Sequence, residues 1–159
     1  MTSPAIEDWF EQLNQWHRER KHDQVSVLEQ LLLTTPEALW SCPNQAITKR
    51  ALPMWFDACL RLYLHYRNDV PQRAYSFVQL AYGRLQQLAG DASCEIAIRH
   101  WATQRIQHLA VLSLEFCQQQ NSEQWRKESQ QLIDNHVLFM QKLAWNEVRN
   151  DDQGSVQHH

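Results

Sequence analysis

The chain has 159 residues, a formal net charge of −3, three glycines, five prolines, seven tryptophans and four cysteines. That length suits one domain whose core can form without disulfides or metal. So few turn residues argue against an all-β fold, and the acidic balance gives no general attraction to nucleic acid or anionic membranes.

Ser3-Pro4 starts a first helix, with serine as N-cap and proline at the first helical position. Glu7 and Asp8 suit its positive end, and Ile6, Trp9, Phe10, Leu13 and Trp16 follow at helical spacing. The charged run 17–23 ends it. Asp23 can cap a second helix, whose apolar face holds Val25, Leu28, Leu31 and Leu32. Thr35-Pro36 is a further stop-and-start signal; a short helical turn covers 37–40 and a loop 41–44. Pro53 interrupts the region that begins near Asn44, so the third helix is predicted over 53–67, with Trp55, Phe56, Cys59, Leu62, Tyr63 and Tyr66 inward. Residues 68–71 break it and start a fourth helix, which runs to about 89. Ala74, Phe77, Val78, Ala81, Leu85 and Leu88 face inward, and Gly90 is placed to cap it.

The fifth helix fills 92–119. Asn121-Ser122 caps a sixth, predicted over 123–150. Residues 151–159 are polar and read as a disordered tail, which leaves 1–150 as a single helical domain. The stretch 109–117, LAVLSLEFC, is apolar almost all round, and this places the fifth helix at the centre. Short links between helices imply antiparallel α-hairpins. The predicted fold is therefore all-α, a compact bundle of antiparallel α-hairpins with about six helices. Trp9, Trp16, Val25 and Pro36 stand at offsets similar to those of a tetratricopeptide repeat, although the glycine after the first apolar pair is missing and no later segment repeats the pattern. A TPR-like α-solenoid is the alternative architecture.

One side chain stands out in the fifth helix. Ile98, Trp101, Ala102, Leu109, Leu112 and Phe116 share a face, and Arg105 lies within that stripe. A buried guanidinium needs a carboxylate, a ligand or a route to water. Asp57 and Glu115 are the candidate carboxylates. His136 occupies the matching stripe of the sixth helix with Trp125, Leu132, Ile133, Met140 and Leu143. Arg105 and His136 are thus the candidate ligand-binding pair, and an anion is the ligand two cations would suit.

Other chemistry has little support. Glu19 and His22 form one ExxH step, and the second such step that a di-iron bundle needs is missing. HExxH, GxSxG and glycine-rich phosphate loops are absent. No metal or cofactor is implied. The cysteines Cys42, Cys59, Cys94 and Cys117 form no CxxC pair and read as reduced thiols of a cytoplasmic protein. The stretch MTSPAIEDWFEQ does not resemble a signal peptide, and no apolar run approaches membrane-spanning length.

The sixth helix has a second apolar side. Leu138 and Trp145 are seven residues apart, nearly opposite the stripe of Leu132 and His136, and Val148 extends the patch. An exposed patch of this kind suits another protein or a second copy of the chain. The leading expectation is a non-enzymatic cytosolic protein-interaction module, such as an adaptor, small chaperone, anti-activator or immunity-type regulator. A ligand- or metal-binding helical bundle, possible enzyme chemistry included, is the first alternative, and a DNA-associated regulator the second.

Overall fold

The computed structural model describes the backbone of residues 4–19, 24–41 and 44–157, and their side chains apart from those of 4 and 147–157. The described residues form seven α-helices and no strand, as the all-α reading requires. These are α1 (Pro4–Glu19), α2 (Val25–Leu33), α3 (Ala38–Ser41), α4 (Ala46–Tyr66), α5 (Pro71–Gly90), α6 (Ile96–Gln120) and α7 (Glu123–Gln157). The predicted fifth and sixth helices are α6 and α7. No described helix is long and apolar enough to cross a membrane.

The chain divides into two compact units, Met1–Arg105 and Ile106–His159, and α6 contributes to both. In the first unit α4 is the hub, with α1, α2, α3 and α5 all packed on it. Of the side chains expected inward, Trp55, Phe56, Cys59, Leu62 and Tyr63 are buried, joined by Ala51, Leu52 and Ala58, and Tyr66 is half-buried. On α5, Ala74, Phe77, Val78, Ala81, Leu85 and Leu88 are all buried. The α1–α2 pair is fixed by two indoles. Trp9 donates its Nε1–H to the Leu31 carbonyl at 2.7 Å, and Trp16 donates to the Gln24 carbonyl at 3.1 Å. Each ring thus buries apolar area while its one polar atom is satisfied.

An ion pair ties α2 to α5. The Glu29 carboxylate is buried and accepts from Arg73 Nε at 2.9 Å and from Nη2 at 2.6 Å, with Tyr66 Oη donating at 3.3 Å. Arg73 lies over the Tyr66 ring at 4.6 Å, and Tyr66 stacks on Phe77. The bidentate fork satisfies an acid that would otherwise be costly to bury. It also raises the Arg73 pKa, chiefly through the hydrogen bonds to Glu29.

Several boundaries differ from the sequence reading. Pro53 does not start a helix. It sits inside α4, which begins at Ala46. A proline there removes the hydrogen bond to the Lys49 carbonyl and costs a helix about 3 kcal/mol, which the buried run Thr48, Ala51, Leu52 and Trp55 offsets. Gly90 is the last residue of α5 with no left-handed φ, so it is not the expected cap. The helix expected from 92 begins at Ile96, because Asp91 accepts from the Ser93 N–H and hydroxyl and holds a turn. These bonds lower the Asp91 pKa. Asn44 fastens the same turn, donating to the Ser93 carbonyl and accepting from the Glu95 N–H, both at 2.9 Å. Asp23, the expected cap of α2, lies outside the described residues.

In the second unit, α6 and α7 are joined by Asn121 and Ser122. Asn121 has φ 50°, a left-handed value that asparagine tolerates at a helix C-terminus. Ser122 Oγ accepts the Trp125 N–H at 3.3 Å and caps α7, as expected. Phe116 and Trp125 then meet edge to face, ring centroids 5.2 Å apart. The segment 109–117 is not enclosed on all sides: Val111 is 57% exposed and Leu112 is half-buried, while Ile106, Leu109, Ala110, Phe116 and Cys117 are buried. The sequence placed this helix at the centre. In the first unit the gathering element is instead α4, because Trp55 and its neighbours present buried side chains to four helices at once. The helix α7 continues to Gln157, through most of the stretch expected as a tail; 158–159 lie outside the described residues.

Candidate protein-docking face

The seven tryptophans sort sharply by burial. Trp9, Trp16 and Trp55 are buried, and Trp40, Trp101 and Trp125 are half-buried. Trp145 is 65% exposed. Among the described side chains of α7, three other large apolar ones are exposed: Leu138, at 55%, Val137 and Ile133. At about 100° per residue, Leu132, His136 and Leu143 centre the inward stripe of α7. Leu138 and Trp145 then lie about 140° and 160° from that centre. Leu143 is buried, and Leu132, His136, Phe139 and Met140 are half-buried, so the inward stripe is where periodicity put it.

Ile133 was expected on the inward stripe. It is 38% exposed, because its phase lies about 80° from the stripe's centre. Val137 was not singled out, although its phase, about 120° away, places it on the outer side. The backbone of Val148 continues α7, but its side chain lies outside those described.

Arg105 is half-buried, as its place in the α6 stripe requires. Its guanidinium carbon lies 5.7 Å from the centre of the Trp101 ring, and Trp101 meets Phe56 edge-on at 6.1 Å. Asp57 is not its partner. That carboxylate accepts from Arg61 Nε at 2.6 Å, one turn along α4, and also faces His17. Glu115 is exposed, with no ion pair to Arg105 among the described residues. The guanidinium head therefore lies over an indole at a half-buried position, a modest attraction of about 0.5–1 kcal/mol. Arg105→Met keeps the stem, so stability to urea is expected to change by less than about 1 kcal/mol. A loss near 3 kcal/mol would reveal a buried acid that the substitution strands.

His136 belongs to the second unit, Arg105 to the first. Partial burial lowers the His136 pKa below the ordinary histidine value. Among the described residues, two grooves of the first unit have linings that include neither Arg105 nor His136. One, about 450 Å³, lies between Trp40 and Leu88, with Arg84 over the Trp40 ring at 5.0 Å and paired to Glu37 at 2.9 Å. The other, about 230 Å³, has Leu52, Pro53, Ile98 and Trp101 for walls and the Lys49–Glu95 pair, 2.7 Å, at its rim. Among the described residues no three metal-ligating side chains converge. His22, of the ExxH step, lies outside them.

His17 was not singled out in the sequence. Its Nε2 is buried, lies 3.7 Å from Asp57 Oδ2 and finds no hydrogen-bond partner among the described residues. Burial lowers its pKa, Asp57 opposes this and Arg61 adds to it. In the unfolded chain it titrates near 6.5, above the folded value, so the unfolded chain takes up this proton first. Its contribution to stability is complete above about pH 6.5 and is lost as pH falls through that value towards the folded pKa. His136 acts in the same direction. The Tm is therefore expected to drop between about pH 7.5 and 5.5, and His17→Gln to reduce the drop. An unchanged drop in the variant would remove His17 from this role.

Cys59, Cys94 and Cys117 are buried thiols outside any disulfide, and Cys42 lies outside the described residues. Burial pushes the Cys59 thiol far up and Cys94 up to about 11, so neither ionises readily. Comparison with models of known families, with curated proteins and with solved structures finds no match for this chain.

Proposed function

We propose that this chain is a non-enzymatic, cytoplasmic protein-interaction module of the adaptor, small-chaperone, anti-activator or immunity type, and that the outer side of α7 is its docking face. The observation that carries this reading is the exposure of Trp145 beside Leu138 on one side of α7. Tryptophan is the residue most enriched where interfaces concentrate their binding energy, and a Trp–Leu patch left in water is unfavourable. Val137, phased about 80° from Trp145, is exposed at its border. The cytoplasmic part of the reading is supported by three buried thiols that form no disulfide.

The test is site-specific photo-crosslinking in cells of the native host. A photoreactive residue at Gln141, exposed between Leu138 and Trp145, is expected to give discrete adducts. The same residue at Gln79, exposed on α5, is the control and is expected to give none. Absence of adducts at position 141, or equal yields at both positions, would overturn the reading.

A further inference from the structure

We propose that the partner on the α7 face is a second copy of this chain, docked antiparallel about a two-fold axis that passes through Leu138. The inference rests on the reading of α7 as a docking face and adds the identity of its occupant. It comes from the charge pattern around Leu138. Gln130, Asp134, Leu138, Lys142 and Asn146 are spaced four apart, form one ridge along α7, and are all exposed.

Read from either end, that ridge runs amide, charge, leucine, opposite charge, amide. A two-fold axis at Leu138 lays Leu138 on Leu138 of the second copy. It sets Asp134 against Lys142 twice over and leaves Gln130 and Asn146, each about 80° round the helix from Leu138, at the rim. A parallel arrangement would instead face Asp134 with Asp134 and Lys142 with Lys142, which like charges oppose. The geometry is an available one. Ridges of residues four apart run at about 26° to a helix axis, so two such ridges lie alongside each other when the helices cross at ~50°, the commonest packing class. The ridge spans about 24 Å, at 1.5 Å per residue. Trp145 flanks it, phased within about 20° of Leu138, and would be covered in the same contact.

Self-complementarity of this kind is what an isologous interface demands, since each residue must meet its symmetry mate's complement. A foreign partner imposes no such symmetry on Asp134 and Lys142. One helix face falls short of the ~800 Å² per partner of a tight complex, so the dimer is expected to dissociate on dilution.

Sedimentation equilibrium of the full chain tests this, over concentrations reaching roughly 1 mM. The wild-type chain is expected to show a monomer–dimer equilibrium. Lys142→Asp alone, and Asp134→Lys alone, each face two pairs of like charges and should weaken it about tenfold. The double variant Asp134→Lys/Lys142→Asp restores both pairs and should return to within about threefold of wild type. Leu138→Ala with Trp145→Ala should abolish dimerisation at all but the highest concentrations. All four positions are exposed, so circular dichroism is expected to match wild type in every variant. A wild-type chain that stays monomeric throughout overturns the second copy as partner. So does a dimer indifferent to the single reversals, or one that the double reversal does not rescue. Neither result bears on whether α7 docks some other protein, which the crosslinking at position 141 decides separately.

Discussion

Trp55→Ala is expected to cost the fold about 3–5 kcal/mol, a large share of the ~5–15 kcal/mol that holds a domain of this kind together. Trp55 is 1% exposed on α4 and meets Trp40 edge to face, ring centroids 4.7 Å apart. Truncation removes the indole from the helix on which four others pack, and the neighbours relax only partly into the space. Urea denaturation followed by circular dichroism measures the loss. Trp145→Ala provides the contrast: with 65% of its surface already in water, it is expected to change stability by less than about 0.5 kcal/mol. Comparable losses at both positions would mean that Trp145 packs inside the fold.

A second large effect is expected at Leu109. It is fully buried on α6, and Leu109→Ala should lose about 2–5 kcal/mol. Leu112, three residues on, is only half-buried, and Leu112→Ala should lose roughly half as much or less. Equal losses would show that the inward face of α6 has been assigned to the wrong side. The same denaturation assay distinguishes the cases.

The helices were legible because their apolar residues recur at helical spacing and their ends carry recognisable signals. Pro4 opens α1, Ser122 caps α7, and the residues predicted inward on α4 and α5 are buried, except for the half-buried Tyr66. Pro53 was misread because local propensity was outweighed by packing: Leu52 and Trp55 on either side are buried, and the helix continues through the proline. An apolar run such as 109–117 shows what could be buried, whereas neighbouring elements decide which side is covered, and Val111 is left open.

The outer side of α7 was legible in phase, since Leu138 and Trp145 are one heptad apart, and both are exposed. The Glu29–Arg73 pair could not be read, because its members stand 44 positions apart and nothing local to either points to the other. Nor could the surroundings of His17. Its neighbours Asp57 and Arg61 reach it only through the packing of α1 on α4.

The three buried thiols give the chain a built-in set of clocks. A thiol-reactive dye cannot reach Cys59, Cys94 or Cys117 until the surrounding structure opens, and so each labelling rate measures how often that neighbourhood exposes itself. Cys59 and Cys94 lie in the first unit and Cys117 in the second, so their rates separate the breathing of one from the breathing of the other. Cys59, on the hub helix, should be the slowest, opening only when the first unit unfolds as a whole. Cys94, in the turn before α6, can be uncovered by the release of a few residues and should react much sooner.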